Sequence, residues 1–452
     1  MKKAEESGIQ LEVARYSFFW LCAANVVGLW LAMLLVWPRL GDWLGELTYG
    51  RWVPLHMDWH LYGWCSLPLL GLAFLRFFGK LPNGGSLTRW GLLLWSLGLV
   101  AGGAAWLSGQ ATGKPFLNWT GRGGMLFAGA QGLIWILLAY AWLRAARLRT
   151  NTGESRRSLF LKGICLAVLI GVPAALLWTS DTTVYPPVNP DSGGATGHSL
   201  LASTLSLVFL MGALPELLGL DLNKRVAKKR IRLIFWSVFG ASVVLYLSID
   251  HGDASNHALN QIVGLGSLLV WPVLVALYWR AWQWSDAGAL WRWAFYAWWG
   301  CLALDGWVLF LPGVLDTMKF TNALVAHSHI AMGGMVTALN MVIIGHLGRS
   351  DTLAARIGNV WAFVLWNAGC LAYAVVMSVQ GWREGWDPSA LFYYDSLTGA
   401  LYSARLVCGL LMAVASLYWL AGVVRSRARG RVAAAGESSD RGKGAWPVME
   451  AG

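Results

Sequence analysis

The sequence predicts an all-α bundle of twelve transmembrane helices, and three observations carry that expectation. Of its 452 residues, 57% are hydrophobic and only 13% are charged, with a mean hydropathy of +0.52. A water-soluble globule cannot bury so much apolar surface, so a bilayer is required as solvent. Twelve apolar runs are long enough to cross ~30 Å of hydrocarbon at ~1.5 Å per residue. Most of the 35 Lys and Arg residues fall in the connections at one end of these runs, the asymmetry that membrane insertion imposes.

The runs cover residues 16–37, 53–77, 90–107, 125–143, 159–178, 198–220, 231–249, 257–279, 293–311, 322–347, 360–379 and 398–424. They divide the chain into an N-terminus at 1–15, a membrane domain at 16–424 and a basic tail at 425–452, whose Gly- and Ser-rich end from Ala433 is expected to be unstructured. Clusters such as Arg144, Arg147, Arg149, Arg156, Arg157 and Lys162, or Lys224, Arg225, Lys228, Lys229, Arg230 and Arg232, occupy the even-to-odd connections. Both termini are therefore expected in the cytoplasm, with the chain in a bacterial inner membrane. The polar start at Met1 to Arg15 lacks a small-residue cleavage site, so the first run reads as a retained helix.

The formal charge of +12 does not imply nucleic acid, because the basic residues are spread over loops rather than gathered on one face. Thirty tryptophans are expected mainly at the headgroup boundary, where indole finds an apolar and a wet side. The six cysteines lie in apolar runs without C-x-x-C spacing, which argues against a disulfide framework, a zinc site or covalently attached haem. No internal repeat is visible, which weakens a transporter reading.

Histidine carries the chemistry. Seven of the eight histidines fall near the outer ends of apolar helices or in the adjoining loops, where an unpaired polar ring is costly. His346, at the cytoplasmic end of the tenth run, reads as a solvated interface residue. The second run opens Gly-Arg-Trp-Val-Pro-Leu-His-Met-Asp-Trp-His-Leu-Tyr-Gly-Trp (50–64), and the tenth contains Val-Ala-His-Ser-His-Ile-Ala-Met-Gly-Gly (325–334). Residues i and i+2 on a helix diverge by roughly 200°, so His327 and His329 address opposite sides.

These two segments, in a chain of twelve runs, resemble subunit I of the haem-copper oxidases, nearest to the C-family oxidases and the nitric oxide reductases. The resemblance spans nearly the whole chain. It implies that His56 and His329 hold a six-coordinate, low-spin b-type haem and that His327 holds a five-coordinate, high-spin haem. His60 lies one turn from His56 on the same face and competes for the ligand role. The Gly-Arg-x-x-Pro-x-His spacing favours His56, leaving His60 as a pocket-lining residue expected to hydrogen-bond Asp58.

The family's second metal, copper or non-haem iron, is held by a histidine on helix six and two adjacent histidines after helix seven. Here His198 stands at the start of the sixth run, but the adjacent pair has become Asp250-His251, with His257 six residues on. Either the metal is kept, with His198, His251 and Asp250 or His257 as ligands, a set that suits iron better than copper, or it is lost. Tyr246, one turn before Asp250, is the candidate tyrosine of an oxygen reducer. The glutamate a turn below the helix-six histidine in nitric oxide reductases is Ala202 here. O2 and NO both stay open as substrate.

The resemblance further implies electrons arriving from an outer-side donor, a cytochrome c or cupredoxin-like subunit, docking over residues 185–192 and 382–395. Intramembrane proton carriers are few: Thr204, Glu216, Ser242, Tyr246 and Ser248, with Glu216 either a proton entry point or the partner of a basic loop. Arg383 either neutralises haem propionates or forms a loop ion pair. A non-catalytic haem relay or gas-sensing member of the family is the competing reading.

Overall fold

The computed structural model describes residues 2–148, 154–184, 186–187, 200–223, 228–249, 259–347, 351–391 and 395–441. Among these residues there is no strand, only one isolated bridge between Leu222 and Trp282. The long helices run in chain order as α1 (Lys2–Val36), α2 (Tyr49–Phe78), α3 (Gly84–Leu107), α4 (Gly121–Arg147), α5 (Arg156–Ser180) and α6 (Leu200–Leu218). They continue as α7 (Lys228–Ser248), α8 (Ile262–Trp279), α9 (Ala289–Leu309), α10 (Asn322–Leu347), α11 (Val360–Trp386) and α12 (Ser396–Arg441).

Eleven helices among the described residues are long and apolar enough to cross a bilayer, and the chain is an all-helical integral membrane protein. The exception is α9, 21 residues long, where the sequence predicts the ninth span. Trp291, Trp293, Trp298, Trp299, Trp307 and Tyr296, together with Arg292 and Asp305, hold its hydropathy down. Indole and phenol rings count as weakly polar on a transfer scale even where, as at Trp291 and Trp299, they are buried.

Tryptophan corrects the expectation drawn from composition. Trp20, Trp64, Trp106, Trp119, Trp271, Trp279, Trp291, Trp366 and Trp419 are almost wholly inaccessible. An indole is tolerated inside when its N–H finds an acceptor, as six of these nine do. Trp106 donates to Asn118 O at 2.7 Å, Trp279 to Met211 O at 2.9 Å and Trp291 to Ile357 O at 2.9 Å. Trp37, Trp43, Trp90, Trp361, Trp382 and Trp386 remain exposed, as boundary residues should. The cysteines are all free, and Cys22, Cys65, Cys370 and Cys408 are buried as packing residues.

Two helices at the centre of the bundle contain a wide π turn, Trp59–Cys65 in α2 and Ile330–Val336 in α10. In α2 the cause is local. Pro68 has no N–H to offer the carbonyl of Trp64 four residues back, and that carbonyl instead accepts from Asn340 Nδ2 at 2.9 Å. In α10 the carbonyl of Met332 accepts from Thr337 Oγ1 at 2.8 Å, and that of Gly333 from Trp366 Nε1 at 2.8 Å. Trp64 Nε1 donates to Thr337 Oγ1 at 2.8 Å, which ties one π turn to the other. The carbonyls of Trp64 and Gly333 thus accept from side chains of neighbouring helices, while that of Met332 also accepts from the backbone N–H of Thr337, and these bonds fix the register of α2 against α10.

Candidate functional site

A cavity of about 420 Å³ opens between α1, α2, α10, α11 and α12. Its walls are mostly apolar, from Leu29, Leu31, Val53, Met57, Val325 and Met412, and its polar groups include His56, His60, His329, Asn25, Tyr373 and Arg405. Such a composition, apolar walls with a few convergent polar groups, is that of a ligand pocket.

His56 is seated by α1. Its Nδ1 lies 2.9 Å from Ala24 O, and its ring fills the notch left by Gly28 one turn on. A Cβ at Gly28 would fall 2.5 Å from His56 Cε1 and 2.9 Å from Nδ1. His329 is seated by its own helix and by α11. Its Nδ1 lies 2.8 Å from Val325 O, and its ring stacks on Tyr373 with centroids 4.7 Å apart. In both residues a carbonyl engages Nδ1, which selects the tautomer whose Nε2 carries the free lone pair.

His60 stands differently. Its ring centroid is 5.0 Å from that of His56, but its Nε2 is 3.2 Å from Asn25 Oδ1, and Asn25 is in turn held by Ser416 at 3.1 Å. Asp58 is not its partner. Asp58 is fully buried on the other flank of α2 and accepts from Asn118 Nδ2 at 2.9 Å. The i, i+2 spacing that separates His327 from His329 separates Asp58 from His60 as well.

His327 turns away from the cavity toward α9. Its Nδ1 is 2.8 Å from Asp305 Oδ2, and its Cε1 would lie 2.9 Å from a Cβ at Gly306. The expected divergence of the two α10 histidines is therefore present, and Asp305 is a partner that reading the histidine motif alone did not supply. An acid within an apolar helix was the available signal.

Arg405 on α12 is the other residue the sequence reading passed over. It is buried at 6% exposure and lines the cavity. Its Nη1 donates to Asn322 Oδ1 at 3.1 Å and to Gln380 Oε1 at 3.2 Å. Glu384 accepts from Asn322 N, Asn322 Nδ2 and Gln380 Nε2 at 2.7, 2.6 and 3.0 Å, so two side-chain amides separate the carboxylate from the guanidinium. An arginine inside an apolar span was a legible mark of function.

Arg383 pairs with Asp395 at 3.2 Å and takes no place at the cavity. Glu216 is exposed and pairs with Arg232 at 2.6 Å, so of its two readings the ion pair is the one present. His346 is half-buried rather than solvated. Tyr246 is half-buried and packs against the core. Candidate second-metal ligands His198, Asp250, His251 and His257 lie outside the described residues, as do Tyr185, residues 188–192 and residues 392–394 of the docking surface. Among the described residues no cluster of three or more His, Cys, Asp or Glu side chains forms a metal site. No family model matches the chain, and no curated protein is similar to it.

Proposed function

We propose that the chain is the haem-carrying subunit of a membrane redox enzyme of the haem-copper oxidase type, with twelve spans, reducing O2 or NO with electrons from an outer-side donor. The observation that carries this reading is the pair His56 and His329. Two imidazoles from separate helices line one cavity, and each has Nδ1 tied to a carbonyl, leaving Nε2 for a metal. The notch at Gly28 admits the His56 ring, and the apolar walls suit a porphyrin face. His60, with its Nε2 engaged by Asn25, then lines the pocket rather than ligating.

Haem bound by these residues supplies one-electron chemistry and, where an axial position is open, a site for a diatomic gas. The remaining work falls to the chain. His56 and His329 orient the porphyrin plane, and the surrounding aliphatic and aromatic walls exclude water. His327 is the proposed ligand of a second haem on the α9 side of α10, where Asp305 holds its Nδ1. A carboxylate behind a metal-bound imidazole raises the basicity of that ligand, which favours catalysis over a pure electron relay. The residues at 198, 250, 251 and 257 are the proposed holders of the second metal, copper or iron.

The test is the absorption of the purified protein. Haem at two per chain, with one species six-coordinate and a second that binds CO, is the expected result. A colourless preparation would remove the proposal, and two six-coordinate haems without CO binding would leave a relay.

A further inference from the structure

The stack Arg405–Tyr373–His329 is not needed to hold a haem, and its geometry asks for another role. The Arg405 guanidinium carbon sits 5.6 Å from the centroids of both Tyr373 and Tyr402. Tyr373 then lies on the ring of His329 at 4.7 Å, with 27° between planes. Arg405 accordingly reaches the proposed iron ligand through one aromatic ring. No carboxylate touches it in the described residues. Glu384, the nearest acid in its hydrogen-bond network, is held one amide away by Asn322 and Gln380.

A buried cation is expensive, and a protein that needed only packing at position 405 would use an apolar side chain. The arrangement instead keeps a full positive charge at the cavity wall and its countercharge withdrawn. In a low-dielectric site a fixed cation acts strongly on any group whose charge changes nearby. It stabilises the more negative, electron-loaded form.

We propose that Arg405 is a positioning and potential-setting residue: through Tyr373 it fixes the plane of the His329 ring, and through its charge it raises the reduction potential of the iron group ligated there. Glu384 tunes the same potential in the opposite sense. This inference rests on the proposed haem at His56 and His329.

The experiment is a redox titration of the six-coordinate α-band in the purified full chain, for the parent and for Arg405→Gln, Arg405→Lys and Glu384→Gln. Arg405→Gln is expected to disfavour the reduced form at least tenfold, which is a fall of about 59 mV for one electron. Arg405→Lys keeps the charge and is expected within threefold of the parent. Glu384→Gln is expected to favour the reduced form by threefold or more. Electron paramagnetic resonance of the oxidised low-spin species gives a second readout, and its g-values are expected to move in Tyr373→Leu as the His329 plane is released.

A haem-replete Arg405→Gln protein with its midpoint within threefold of the parent overturns the inference while leaving the haem reading intact. A parent that carries no haem removes both. Should Arg405→Gln fail to fold, Glu384→Gln decides, and an unmoved midpoint there also overturns the inference.

Discussion

Replacing Gly28 with alanine is the smallest change that reaches the proposed haem ligand. The new methyl would lie 2.5 Å from His56 Cε1, whereas carbon atoms in contact rest about 3.5–4.0 Å apart. The ring must therefore retreat by roughly 1 Å, and metal sites tolerate deviations of only about 0.2 Å. Retreat also breaks the 2.9 Å contact of Nδ1 with Ala24 O, an outer-shell bond of the kind whose loss costs about 10–100-fold in metal affinity. Gly28→Ala is thus expected to retain at most a tenth of the parental six-coordinate haem at limiting haem supply. The assay is haem per chain together with the reduced-minus-oxidised spectrum. Gly129→Ala is the control, since a Cβ there meets nothing within 4 Å and helix propensity alone favours alanine by roughly 0.5–1 kcal/mol. A Gly28→Ala protein with parental haem content and an unchanged spectrum refutes the notch argument.

His60→Ala is expected to keep the six-coordinate spectrum, because Asn25 occupies its Nε2; loss of that spectrum would transfer the ligand role from His56 to His60. Asn118→Ala leaves the buried Asp58 without its 2.9 Å donor and is expected to cost about 1–3 kcal/mol, read as a lower Tm in detergent. At the basic end of the bundle, Glu154 is bonded to Lys80 and Lys162 at 3.0 Å each. Burial pushes its carboxyl up, but Ser158 and the two lysines outweigh that and hold it at about 2. Its stabilisation is therefore complete above the unfolded value near pH 4.3 and is lost as pH falls toward 2. Glu154→Gln is expected to lower Tm at pH 7, with the gap from the parent closing below pH 4.5; a gap that does not depend on pH contradicts the assignment.

Much of the bundle was legible because apolar length alone marks a span. The ninth helix shows the limit of that signal, since its aromatic-rich surface is apolar in the core yet scores as weakly polar. Tryptophan was misjudged for a related reason: composition cannot tell whether an indole N–H meets water or a carbonyl such as Met211 O. The histidine motif was legible through helix geometry, which sends His327 and His329 to opposite sides. What seats them was not. Gly28, Tyr373, Asp305 and Arg405 lie on α1, α11, α9 and α12, distant in sequence from the motifs they serve. The same i, i+2 rule, applied to Asp58 and His60, would have argued against pairing them.

Ligation of one haem iron by His56 and His329 is the proposal on which the rest depends. Its most direct test is the optical spectrum of the purified parent beside His56→Ala and His329→Ala. A six-coordinate haem is expected in the parent and its loss in each variant, with the protein still folded. An unaltered six-coordinate spectrum in either variant would contradict it.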